Sequence, residues 1–237
     1  MTTILLKLSG PLQSYGNDSH FETRQTARYP TKSAIIGMIA ASMGLNRNQD
    51  QEVQELNEID LAVRVDQSGE LLRDFHMAHA IKKDGKPKRA YVTNRYYLQD
   101  AVFVVAISAN DVLIKEITKA LKSPYFQPFM GRRSLPLMSD FFLKVVDQKP
   151  IVALQNLPWQ ASNWYQKKNK TVTRLDVYAD ADLLNCDSYV MSRERVLSFS
   201  QQKREHGFRP VKHSYVSVIK RESATDHDIF SVIEGVL

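Results

Sequence analysis

The chain has 237 residues and a formal net charge of +6, with 24% charged and 43% hydrophobic residues. A chain of that length makes one large domain or two small ones and buries roughly 70–75% of its unfolded surface, so covalent staples are not needed. The single cysteine, Cys186, excludes an intrachain disulfide and any zinc cluster of the Cys-x-x-Cys kind, which fits a reducing compartment such as the cytoplasm.

Thr2 to Ser9 reads as a strand and lacks the features of a signal peptide, so it is expected to be mature protein. The stretch "GPLQSYGNDSHFETRQTARYPTK" follows as a polar loop, basic toward its end at Arg24, Arg28 and Lys32. It runs straight into Thr31 to Leu45, where Ile35, Ile36, Ile39, Ala40 and Met43 recur at helical spacing after a Pro-Thr entry and Gly44 stops the helix. Ala34 to Leu45 is the most apolar run of the chain and is too short for a membrane span of about 20 residues. A second helical piece, Asn48 to Asn57, leads into Ile59 to Val65, where Leu61, Val63 and Val65 alternate with polar neighbours as in a strand. Residues Glu70 to Tyr97 read as two strand-like arms, "LLRDFHMAHAI" and "RAYVTNRYYL", around the basic turn "KKDGKPK". Ala101 to Ser108 is an apolar strand, Asp111 to Leu121 a helix capped by Asn110 or Asp111, and Phe141 to Val146 a further strand.

With the hairpin set aside the order is βαββαβ, which predicts an α+β fold of the ferredoxin-like, RRM-like kind: an antiparallel sheet with two helices on one face. The predicted division is a core domain over residues 1–149 and a small β-rich region over 150–237, with strand-like runs at Thr171 to Tyr178, Ser188 to Met191 and Lys212 to Ile219. No internal repeat or low-complexity segment interrupts it.

The six histidines, at 20, 76, 79, 206, 213 and 227, pair with no Glu or Cys at a metal-ligand spacing, so no metal site is expected. His76 and His79 fall on a strand, where an offset of three places them on opposite faces. Neither a GxxxxGK[ST] phosphate loop nor a GxGxxG fingerprint is present, and no cofactor is expected. Tyr29, His76, His79 and His213 are the groups from which an acid–base site for metal-independent RNA cleavage would have to be assembled through space. The most distinctive segment is "SPYFQPFMGRRSLPLM", Ser123 to Met138, shaped by Pro124, Pro128, Pro136 and Gly131. It carries Gly131, Arg132, Arg133 and Ser134, a turn whose two guanidiniums and hydroxyl suit phosphate oxygens. In a βαββαβ sheet this loop and the opening loop leave from different strand ends, so their meeting does not follow from the element order.

Four segments in order, "LLKLSGPLQSYG", "FETRQTARYPTKSAIIGMIAASMGL", "RDFHMAH" and "YFQPFMGRRSLPL", resemble the CasD family of RAMP-type proteins found in type I-E CRISPR Cascade. The resemblance covers most of residues 4–143. It implies an RRM-like domain whose β-hairpin thumb, about residues 76–97, grips the repeat-derived five-prime handle of CRISPR RNA and caps that end of the complex. It implies the backbone and large subunits as partners, target DNA only through the assembled complex, no membrane, and no enzymatic role. The competing reading is a metal-independent endoribonuclease that processes precursor CRISPR RNA. Carried over by position, the implied RNA-binding residues are Arg24, Arg28, Lys32 and Ser33 before and at the first helix. In the thumb they are Lys82, Lys83, Lys88, Arg89, Arg95 and Tyr96, and in the later loop Gly131, Arg132, Arg133 and Ser134. Gly10, Pro11, Gln13 and Gly16 match the family's opening loop, Lys86 adds charge to the thumb, and Tyr91, Tyr96 or Tyr97 is expected to stack on a displaced base. The helix N-terminus near Thr31 is expected to offer free N–H groups and a positive dipole end to a phosphate.

Overall fold

A computed structural model describes residues 1–16 and 22–219, so the middle of the opening loop, His20, the C-terminal tail and His227 lie outside the described residues. In chain order the elements are β1 (Thr3–Ser9), β2 (Leu12–Gln13), β3 (Thr23–Arg24), α1 (Lys32–Met43), α2 (Asp50–Glu55), β4 (Asp60–Gln67), β5 (Glu70–Ile81) and β6 (Pro87–Gln99). They continue as β7 (Val102–Ser108), α3 (Asp111–Lys122), β8 (Phe142–Val146), α4 (Pro150–Gln155), α5 (Asn163–Lys168), β9 (Arg174–Asp180), β10 (Val190–Ser198) and β11 (Glu205–Ser217).

The fold is α+β. Its main sheet has the order β10-β11-β9-β4-β7-β1-β8, every neighbouring pair antiparallel. All of β7 is buried because both faces of the sheet are covered, which is why it reads as an unbroken apolar run. One face packs Ile4, Leu6, Val63, Phe103 and Val105 against Ile35, Ile36 and Ile39 of α1 and Ile114 and Ile117 of α3. The opposite face packs Leu5, Ala62, Val104 and Ala106 against Ala153 and Leu154 of α4 and against Trp159. Helix boundaries follow local chemistry. Thr31 caps α1 through its hydroxyl, Gly44 ends it in the left-handed region at φ 82°, and the Asn110 side chain accepts the Leu113 N–H at 2.9 Å to start α3.

Three features depart from the sequence expectation. The polar neighbours alternating along β4 do not face water: Arg64 and Asp66 are buried under α4 and pair through two bonds of 2.7 and 2.8 Å. The same guanidinium donates to the carbonyls of Leu154, Leu157 and Pro158, so an apparently outward residue anchors the end of α4. Second, α4 and α5 are helices where only strands were expected, and the strands beyond residue 150 extend the main sheet, β9 pairing with β4. Third, β5 and β6 form a long hairpin at whose root β2 pairs antiparallel and β3 parallel with β6, making a second sheet. No helix among the described residues is long and apolar enough to cross a membrane.

Candidate nucleic-acid interface

The opening loop is held in place by its own polar residues. Gln13 is fully buried, with its amide donating to the carbonyls of Leu8 (3.3 Å) and Ala101 (2.7 Å) while its oxygen accepts the Tyr15 hydroxyl at 2.6 Å. Burial pushes the Tyr15 phenol well above its ordinary pKa, so it remains a donor. Ser14 Oγ donates to Tyr96 O at 3.0 Å, and the backbone returns on itself where Ala27 N donates to Tyr15 O at 2.7 Å.

The GRRS turn and this loop do meet. Ser14 N donates to Met130 O at 3.3 Å, and the backbone of Gly131 runs so close to Ser14 that a Cβ there would lie 1.6 Å from the Ser14 carbonyl oxygen. With φ at 84° as well, only glycine serves at this position. The loop after α3 begins at the end of α1, where Tyr125 N and Phe126 N donate to Ser42 O and Ala41 O, and folds back over the sheet end to reach residue 14.

Arg132 ties three segments together. Its Nη2 donates to Arg24 O (3.2 Å) and Tyr96 O (3.1 Å), its guanidinium lies 4.2 Å above the Tyr97 ring, and its Nη1 has no acceptor among the described residues. This corrects the view of both arginines as a solvated phosphate fork: Arg132 is half-buried and cross-links the hairpin root, while Arg133 and Ser134 are exposed. Arg24 and Arg28 are exposed, and β3 sets Arg24 opposite Arg95 of β6.

The start of α1 also departs from expectation. Lys32 is buried, its Nζ donating to Ile59 O (2.7 Å) and Asp180 Oδ2 (3.0 Å), and burial, partly opposed by Asp180, lowers its pKa. Its backbone N–H donates to Glu194 Oε2 at 2.8 Å, and Glu194 is held in turn by Arg209, which also binds Asp180 at 2.6 Å. A protein carboxylate from β10 therefore takes the place at the helix N-terminus that a phosphate was expected to fill. Ser33 is half-buried with its hydroxyl 3.3 Å from that of Thr31.

The hairpin is amphipathic across its two faces. In the β5–β6 register Phe75, Met77, Ile81 and Val92 share one face, and Phe75 and Ile81 are 58% and 68% exposed. Arg89, Tyr91 and Arg95 share the other face, where the Arg89 guanidinium sits 4.8 Å over the Tyr91 ring. Lys82, Lys83, Lys86, Lys88 and Arg89 are all exposed around a turn closed by Lys82 N to Lys86 O at 2.8 Å. Tyr97, at 7% exposure beneath Arg132, belongs to the core and is unavailable for stacking on a base; Tyr96 is half-buried.

The candidate acid–base residues separate into two groups. His76 pairs with Asp74 at 2.7 Å on one hairpin face, and His79 lies on the other. Tyr29 and His213 instead flank Tyr178 in an aromatic column, with ring centroids 4.1 and 4.7 Å apart, and His213 Nε2 lies 2.7 Å from Asp176 Oδ1. Burial, then the Glu194 charge, pushes the Tyr29 pKa up to about 12, so its phenol stays protonated and is a poor base. Among the described residues no group of three His, Cys, Asp or Glu side chains is placed to hold a metal ion.

The carboxylates Asp180 and Glu194 that hold the start of α1 are not anticipated by the sequence; no local signal marks them, because they lie 148 and 162 residues from Lys32.

The chain matches the family described as CRISPR-associated protein (Cas_Cas5) over residues 3–212. It is 31% identical over 208 residues to the CRISPR system Cascade subunit CasD of Escherichia coli (strain K12), covering 81% of this chain and 93% of that one. Among solved structures, a chain of a CRISPR RNA-guided surveillance complex superposes with a TM-score of 0.78 at 27% identity, over 98% of this chain and 99% of that one. A crystal structure of a Cas protein superposes with a TM-score of 0.66 at 28% identity, over 92% of this chain and 98% of that chain.

Proposed function

Because the chain belongs to the Cas5 family of CRISPR-associated proteins, we propose that it is the CasD-type subunit of a type I-E Cascade, binding CRISPR RNA by its five-prime repeat handle and capping that end of the assembly. The observation that carries this reading is the junction at Arg132. There the opening loop, the GRRS turn and the root of a long basic hairpin are locked together, with Arg24, Arg95 and Arg133 grouped around the lock. Guanidiniums on a rigid frame, exposed at Arg24 and Arg133 and half-buried at Arg95, neutralise phosphates at little ordering cost, which is what a strand-gripping site requires. Arg28, Lys82, Lys83, Lys88 and Arg89 extend the basic surface along the loop and hairpin. Tyr96 flanks the junction, and the arrangement of Gly131 and Ser134 sets the turn. Lys32 drops out of the contact set, and Ser33 is retained only as a neighbour of the helix start.

The antiparallel order β4-β7-β1-β8, with α1 and α3 on one face, supports reading residues 1–149 as a ferredoxin-like core with the hairpin inserted between its second and third strands. Residues 150–237 are then a β-rich extension that widens the same sheet. The two-faced hairpin fits a double role, its basic face toward RNA and its apolar face toward a neighbouring backbone or large subunit. The role is positioning rather than catalysis, in the cytoplasm, with target DNA met only through the assembled complex. Incubation of the pure chain in EDTA with labelled RNA of the host's CRISPR repeat tests it. We expect binding with no cleavage; a single-site product abolished by His213→Ala would establish the endoribonuclease instead.

A further inference from the structure

We propose that Tyr215, with Arg174 beside it, forms a nucleotide subsite on β9 and β11, where the Tyr215 ring stacks on one base of a single-stranded RNA and the Arg174 guanidinium takes the adjoining phosphate. This rests on the RNA-binding reading above and extends it to a part of the chain whose role the sequence left open.

Strand register builds the site. β9 and β11 pair so that Tyr178 stands opposite His213, Asp176 opposite Tyr215 and Arg174 opposite Ser217, and these six side chains share one face of the sheet. It is the face on which Asp180, two residues on from Tyr178, binds Lys32 of α1. Tyr29 joins it from the end of the opening loop, its ring stacked on Tyr178 at 4.1 Å and 10°, and Tyr178 stacks on His213 at 4.7 Å and 22°. Asp176 pins His213 at 2.7 Å, and Tyr215 closes the column edge-on at 4.8 Å and 69°. The inner rings thus brace the outer one, and Tyr215 is 57% exposed. Beside it lies a shallow cleft of about 200 Å³ lined by Tyr215, Arg174, Ser214 and Ser217. Arg174 is exposed and forms no ion pair among the described residues.

A braced, exposed tyrosine is a stacking platform of low entropy cost, because the ring has few torsions left to freeze and every base has a π-face. A neutral ring next to an unpaired guanidinium and hydroxyls matches the alternation of base and phosphate along a single strand, whereas a duplex keeps its bases inside. The nearby Asp176 carboxylate is engaged by His213. The column also leads back to the first site, since its inner ring, Tyr29, directly follows the exposed Arg28 of the basic loop. One segment of chain and one stack of rings therefore join the two sites.

The test measures the affinity of the full chain for labelled RNA of the host's CRISPR repeat over a range of salt concentrations. Tyr215→Ala should weaken binding about fivefold or more with the salt slope unchanged, since it removes a stacking ring and no cation, whereas Tyr215→Phe should stay within about twofold of the parent. Arg174→Gln should lower the slope of log affinity against log salt by about 0.7. Parental affinity in Tyr215→Ala or a parental slope in Arg174→Gln, alongside a reduced slope for Arg133→Ala, overturns the subsite and leaves the first site standing; impaired assembly in that case would assign the surface to a protein neighbour. Absence of RNA binding by the parent chain overturns both sites. If Tyr215→Ala fails to fold, NMR of the parent decides: upfield ring-current shifts of the Tyr215 ring protons on adding RNA support the subsite, and unmoved resonances overturn it.

Discussion

The two adjacent arginines of the GRRS turn do different work, which a reading of the sequence as a basic motif does not anticipate. Arg132 supplies two hydrogen bonds to backbone carbonyls and covers the Tyr97 ring, so Arg132→Ala uncovers a core aromatic and leaves the Arg24 and Tyr96 carbonyls without that donor. Its cost should be about 1–3 kcal/mol in thermal or urea unfolding. Arg133 is exposed and has no ion pair among the described residues, so Arg133→Ala should leave stability within about 0.5 kcal/mol of the parent. The same change should lower the salt slope of RNA binding by about 0.7. Equal loss of stability in the two variants would refute this division of labour.

Among the elements, the β5–β6 hairpin has the least tertiary support along its outer part. A two-stranded ribbon is marginal in water, and this one leaves Phe75, Met77, Ile81 and Val92 exposed on one face. Its root is anchored by β2, β3 and the Tyr97–Arg132 contact, so the core should be indifferent to changes at the tip. Replacing Lys82 to Arg89 by a short Gly-Ser turn should leave the melting temperature within a few degrees of the parent and impair assembly into an RNA-bound complex. Phe75→Ser with Met77→Ser should impair assembly while leaving the salt slope of RNA binding by the isolated chain unchanged, because the two changes remove no cation. Normal assembly and RNA retention with the shortened turn would show that the hairpin is not a thumb.

For the whole molecule, the region beyond residue 150 completes the fold rather than decorating it. It supplies three carbonyl acceptors for the buried Arg64 guanidinium, the Asp180 carboxylate that pairs with the buried Lys32, the carboxylate at the start of α1, and much of the second core around Trp159. A chain ending at residue 149 would bury a lysine without its Asp180 partner and leave β4 with an unpaired edge. It should show no cooperative thermal transition by circular dichroism, and a sharp transition near the parent's temperature would mean that the core folds alone.

Local chemistry in the sequence determined the elements that depend on it. The apolar run of β7, the Thr31 and Gly44 ends of α1, the Asn110 cap of α3 and the paired arms around "KKDGKPK" are set by periodicity, capping and turn residues within a few positions of one another. The chain order of its motifs also carried the family. What only the tertiary structure decided is the fate of each charge. Lys32, Arg64 and Arg132 look in sequence like the exposed Arg28 and Arg133, yet Asp180, the carbonyls after α4, and the Tyr96 and Arg24 backbones draw them inward. Those partners lie far along the chain, from 36 residues for Tyr96 to 148 for Asp180. Whether a cation meets a phosphate or a buried carboxylate depends on which segments fold against it, and composition and spacing carry no term for that.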